Sequence, residues 1–222
     1  MQFGLSESQQ ILKNNARKFF AAECPAAEVR RIMETSHAHD EKLWRDMAAQ
    51  GFLGVLIPEE AGGMGLGMVE LAALAEEMGR ALAPGGFISA LVASAAIHAA
   101  GSAKHLREIA SGAVKATFAL LESGGSWNPD AVAMEGLNGQ KLFVPDAGVA
   151  DVIVVAARNR GELALYLADA RSAEISPMPA MDLTRKLYRV KFSGRGELLA
   201  RGDAAWNALD RGLAMPGSCT PF

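Results

Sequence analysis

The chain has 222 residues, half of them hydrophobic, with 25 acidic against 22 basic side chains and a formal net charge of −3 at pH 7. So balanced a charge excludes the basic face that a nucleic-acid partner requires. Its two cysteines, Cys24 and Cys219, lie far apart, which argues against a disulfide framework and for a reduced, cytoplasmic setting. Met1–Leu5 lacks the basic start and apolar run of an export signal. Every apolar stretch is interrupted well short of the ~20 residues a bilayer needs, so a soluble protein without a membrane partner is expected.

The first half has helical periodicity. Ser6 with Gln9 three residues on forms a capping box, and Ile11, Leu12, Ala16, Phe19 and Phe20 follow as an apolar stripe. Pro25 interrupts this helix, and Val29, Ile32 and Met33 continue the apolar face. Asp40–Gln50 predicts another helix with Leu43, Trp44 and Met47 inward and Gly51 at its end. The segment Phe52–Ile57 then runs into Pro58-Glu59-Glu60-Ala61-Gly62-Gly63-Met64-Gly65-Leu66-Gly67. Four glycines in six positions there rule out regular structure and predict a loop with positive φ or close backbone approach. Helices are expected again over Met68–Leu82, over the small-residue run Phe87–Ala100, and over Ala103–Ala110.

The period then changes to alternation. Lys115–Leu121, Val152–Ala156, Leu163–Leu167 and Lys186–Phe192 read as strands, with Arg158–Gly161 a turn. Asn138-Gly139 predicts a hairpin turn between Ala131–Glu135 and Gln140–Val144. In Lys186–Phe192, residues Leu187, Arg189 and Lys191 fall on one side and Tyr188, Val190 and Phe192 on the other. Short strands joined by turns imply a small antiparallel sandwich or barrel. The fold class is therefore α+β: a helical domain over residues 1–113, a β domain over 114–200, and over 201–222 the start of a further helical segment. That segment carries Trp206, Leu209 and Leu213 on one face and is expected to be cut at Pro216-Gly217. So short an amphipathic helix needs something to pack against, either the β domain or a following domain that has been removed.

Local chemistry alone gives no mechanism. The glycine run does not follow a βαβ strand, so it fails as a phosphate cradle. His37 and His39 have no acidic or thiol partner at ligand spacing and read as a surface turn rather than a metal site. His98 and His105 read as surface or capping residues. Glu59 and Glu60 are adjacent carboxylates, but neighbours in sequence point apart, which disfavours an acid/base pair.

Several runs together resemble the acyl-CoA dehydrogenase family. Trp44 and Ala48–Gly65 are similar to its N-terminal signature, and Glu76–Arg80 to its next helix. Ala100–Gly112 resembles the approach to its β domain, Gly139–Val144 and Ala150–Ala156 a strand pair of that domain, and Asp182–Arg185 the approach to its last strand. The resemblance implies the family's fold, FAD as cofactor and an acyl-CoA thioester as substrate. It also implies α,β-dehydrogenation, with a homo-oligomer or a full-length dehydrogenase as partner. It places flavin contacts at Phe118, Leu120, Leu121, Ser126, Phe143 and Val144. Where the family carries Thr-Glu-Pro the chain has Leu121-Glu122-Ser123, and where it carries Trp-Ile-Thr the chain has Leu142-Phe143-Val144. Each hydroxyl lost from a buried hydrogen bond costs about 1–3 kcal/mol, which weakens flavin binding. The family's catalytic base belongs to a C-terminal helical domain with no counterpart in these residues, so no catalytic residue is assigned. The resemblance therefore implies a chain inactive alone, or a non-catalytic subunit of a complete dehydrogenase. An acyl- or CoA-binding module, with a groove between Phe87–Ala100 and the β domain, is a further reading.

Overall fold

The computed structural model describes residues 4–219, with side chains described as far as Leu213. The helical half holds α1 (Glu7–Glu23), α2 (Ala26–Met33), α3 (Glu41–Ala49), α4 (Met68–Ala81), α5 (Phe87–Ala99) and α6 (Leu106–Ala110). Ser6 and Gln9 form the reciprocal capping box at the start of α1, where Ala16 and Phe20 are buried while Ile11 stays exposed. Asp40 caps α3 by accepting the Leu43 N–H at 2.9 Å. In the glycine run, Gly62 and Gly65 adopt positive φ, and a Cβ on Gly63 would lie 2.0 Å from the Ile57 carbonyl oxygen. That loop therefore needs glycine for both reasons expected.

The β half has two sheets. One is four-stranded in the order β1 (Ala116–Ala119), β3 (Val152–Asn159), β4 (Glu162–Asp169), β7 (Glu197–Arg201). The other is β2 (Asn138–Pro145), β6 (Leu187–Ser193), β5 (Glu174–Met178). They face each other as an open sandwich, and among the described residues no closed barrel forms. Tyr188, Val190 and Phe192 on β6 join Ile153, Val155 and Ala157 on β3 in the core between them. The opposite face of the four-stranded sheet, with Val154, Ala156, Leu163 and Leu165, shares one core with the helices. Covered on both sides, β3 is buried continuously from Val152 to Ala157.

Four expectations need correction. The sandwich is not wholly antiparallel, because β1 pairs parallel with β3. Asn138-Gly139 is no hairpin turn: both residues lie inside β2 and pair with Ser193 and Phe192 of β6. The preceding segment forms no strand and is not the other arm: Glu135 makes a parallel bridge to Arg158 of β3, whose N–H donates to the Met134 carbonyl and whose guanidinium donates to Val132. His39 is not on the surface, since its side chain is only 7% exposed beside Trp44. Helix α7 (Asp203–Cys219) continues through Pro216-Gly217 instead of stopping there. It packs on α5, β4 and β7, with Gly212 buried where an added Cβ would lie 3.3 Å from the Val92 carbonyl oxygen.

Candidate functional site

Helix α5 is built almost entirely from apolar and small residues, so it is buried between α7 and the four-stranded sheet. Ile88, Ser89 and Val92 turn one of its faces toward β1. There the two-residue strand repeat sends Phe118 and Leu120 to the helical side and Ala119 into the core between the sheets. Opposite them, β2 carries a bulge between Lys141 and Val144, and Phe143 takes φ +54°. A bulge re-aims side chains. Here Lys141 and Val144 point inward, while Leu142 and Phe143 face outward over Leu121. The Leu142 N–H donates to the Leu121 carbonyl at 2.8 Å.

These elements enclose an apolar hollow of about 180 Å³. Phe118, Leu120, Leu121 and Phe143 line it together, joined by Ile88, Val92, Trp127, Leu142 and, from α7, Leu213. Two further expected contacts lie outside the lining. Ser126 is exposed on the neighbouring loop, where its Oγ accepts the Asn128 N–H. The Val144 side chain, 1% exposed, is buried in the core between the sheets. Sequence reasoning did not single out Ile88 or Val92, although they stand at the helical i, i+4 spacing that would align them, and it read Leu213 only as part of an amphipathic helix face. Arg185 was read only as the end of the family-like run before the last strand, with no place in a site.

Arg185 forms the polar edge. Its guanidinium lies 3.6 Å from buried Asp146, which also accepts a hydrogen bond from Ser89, and its buried Nε has no partner among the described residues. No carboxylate lines the hollow among the described residues. Glu59 and Glu60 are exposed on a 3-10 turn, Glu59–Ala61. Glu122 is committed elsewhere. Its carboxylate accepts from Lys141 Nζ at 2.6 Å and from the N–H groups of Ala133 and Met134 at 3.1 and 3.0 Å. Burial opposes ionisation of Glu122, but the ammonium and the amides outweigh it and hold the carboxyl below its ordinary range. Burial likewise lowers the Lys141 ammonium, against the pull of Glu122. A different and larger hollow, about 880 Å³ and open, lies where Ser94 and His98 of α5 meet Asp210 and Arg211 of α7. It holds none of the expected contacts.

Residues 6–115 match the model of the acyl-CoA dehydrogenase N-terminal domain. The chain belongs to the acyl-CoA dehydrogenase family. It is similar to acyl-CoA dehydrogenase IpdE2 of Mycolicibacterium smegmatis, at 30% identity over 84% of this chain and 52% of that protein. Among solved structures, a Tcur3481–Tcur3483 steroid ACAD is 28% identical with a TM-score of 0.84, over 96% of this chain and 62% of that one. An acyl-CoA dehydrogenase from Bacillus anthracis complexed with FAD has a TM-score of 0.81 at 22% identity, over 97% of this chain and 42% of that one, and shows the fold alone. The chain spans about half the length of the curated relatives it matches.

Membership of an acyl-CoA dehydrogenase family raises the question of whether the hollow fits FAD. Its volume is below the ~300–1,000 Å³ of a complete small-molecule site, so it takes part of a large ligand at most. Its lining is apolar and aromatic, as a flat ring requires. The Phe143 N–H at its edge meets only the Met178 thioether, at 3.5 Å, among the described residues. A thioether is a weak acceptor, so that amide is available to a better one. These residues fit one wall of a flavin ring.

Proposed function

We infer that the chain provides the helical scaffold and one flavin-facing wall of an acyl-CoA dehydrogenase acting by α,β-dehydrogenation of an acyl-CoA thioester. The observation that carries this reading is the convergence of Phe118, Leu120, Leu121 and Phe143 on one apolar hollow between β1, β2, α5 and α7. FAD, when bound, would supply the hydride acceptor. Phe118, Leu120 and Leu121 would give it an apolar floor, the Phe143 amide would donate to it, and Trp127 would cover one side. Ser126, on the same loop, would reach it by its hydroxyl.

Removing the α-proton needs a positioned base. The hollow brings none among the described residues, and Glu122 is held ionised by Lys141 and two amides rather than left free to accept a proton. In this reading the polypeptide alone does not turn over acyl-CoA. A second arrangement, pairing with a complete dehydrogenase, is favoured by exposed rings at the hollow: Trp127 and Phe143 are 66% and 42% exposed.

The visible absorption spectrum tests both. The purified chain should carry well under one flavin per molecule, take up added FAD weakly and saturably, and show no acyl-CoA-dependent dye reduction. Stronger flavin uptake on mixing with a full-length family member would favour pairing. Absence of FAD binding under every condition would overturn the flavin-wall reading, and stoichiometric flavin with turnover in the chain alone would overturn the missing base.

A further inference from the structure

The Lys141 side chain is 0% exposed, yet it carries a charge on β2 in the middle of the β half. Its Nζ donates to the Leu120 carbonyl at 3.0 Å and to Glu122 at 2.6 Å, and Glu122 accepts in turn from the amides of Ala133 and Met134. The two charges thus tie together both ends of the long connection from β1 to β2, near residue 121 and near residue 134. Trp127, on the loop between, is 66% exposed and lines the hollow. Arg158 holds the second leg through the Val132, Pro129 and Asp130 carbonyls, and among the described residues it makes no hydrogen bond to the loop before residue 129. A buried ion pair is a poor source of net stability, because desolvation offsets its attraction, whereas a directional set of charge-assisted bonds fixes one backbone geometry.

We propose that the Lys141–Glu122 pair is a positioning device that clasps the 121–134 loop and so sets Leu121 and Trp127 against the apolar hollow, fixing its width for the ligand's flat ring. This rests on the flavin-wall reading for the identity of the ligand, but not for the clasp. Lys141 and Glu122 touch the hollow only through the backbone they hold.

The test uses the full chain with K141M, E122Q and the double variant K141M/E122L, whose apolar replacements avoid an orphaned charge should K141M fail to fold. Amide hydrogen exchange reports the loop, and the emission difference between each protein and its W127F partner isolates Trp127. Two probes report the hollow: FAD and, independently of flavin, 1-anilinonaphthalene-8-sulfonate. Loss of the clasp should speed exchange across 121–134 by about tenfold or more while β3 and β4 stay protected. It should also shift Trp127 emission and weaken FAD binding by about tenfold or more, as expected when a wall moves by an ångström. The double variant should melt close to the parent yet show the same loosened loop and weakened binding. Unchanged exchange in 121–134 would overturn the proposal, as would a loosened loop with both probes binding as before. If the parent chain does not bind FAD, the flavin-wall reading fails, and exchange, Trp127 emission and the anilinonaphthalene probe still decide the clasp.

Discussion

At the scale of single residues, charges and aromatic rings are placed to serve the helical packing as much as the hollow. Glu77 of α4 is fully buried, accepts two hydrogen bonds from the Arg17 guanidinium at 3.0 and 2.8 Å, and accepts a third from Arg80. The Arg17 hydrogen bond above all holds its carboxyl below the ordinary range, outweighing the opposing effect of burial. A carboxylate whose folded pKa lies below the unfolded value stabilises the fold fully above that unfolded value, and loses the contribution as pH falls through the folded one. Melting temperature should therefore decline on acidification below about pH 4.5. Glu77→Gln should cost about 1–3 kcal/mol at neutral pH and flatten that decline, as read by thermal melts across pH. Trp44 is 2% exposed and donates its indole N–H to the Gly112 carbonyl at 2.9 Å. Trp44→Ala should cost about 3–5 kcal/mol in denaturant unfolding. Trp44 was legible in the sequence because its helical spacing marked it as inward. The buried Lys141 was not, because its partners lie 19 and 21 residues away and nothing local signals a charge inside a strand.

Among the elements, helices were read most fully, since caps and stripes are encoded within a few residues. The Ser6 capping box, helix α3 and the glycine loop after Ile57 all stand where the sequence placed them. Gly63→Ala should clash with the Ile57 carbonyl and cost about 1–3 kcal/mol or more, measurable as a lowered denaturation midpoint. Most strands were legible, although β7 was missed and Ala131–Glu135 forms none, but strand partners were not. Asn138-Gly139 carries the local chemistry of a hairpin, yet β2 pairs with β6 some fifty residues on, a choice made by the buried face of Tyr188, Val190 and Phe192. β5 escaped notice because Pro177 breaks its pattern, which its edge position tolerates. For the hollow, the residues on β1 and β2 could be foreseen from family motifs. The bulge that sends Phe143 outward and Val144 inward could not, because an extra residue in a strand leaves no mark on its composition.

For the molecule as a whole, secondary structure changes type near residue 113, but the core does not stop there. Phe20, Trp44 and Leu91 from the helices, Phe118, Val154 and Leu165 from the sheet, and Leu209 from α7 belong to one apolar cluster. Heating should therefore give a single calorimetric transition with matching van 't Hoff and calorimetric enthalpies, and two resolved transitions would show that the halves stand independently. Among the described residues no helix is long and apolar enough to cross a membrane. The same shared core bears on how the gene can be handled. A fragment expressed from residue 114 to 200 would present Phe118, Val154, Ala156, Leu163 and Leu165 to water as a bare sheet face. Such a face invites self-association into insoluble material. The point where helices give way to strands is the most visible seam in the sequence, and it is a poor place to cut.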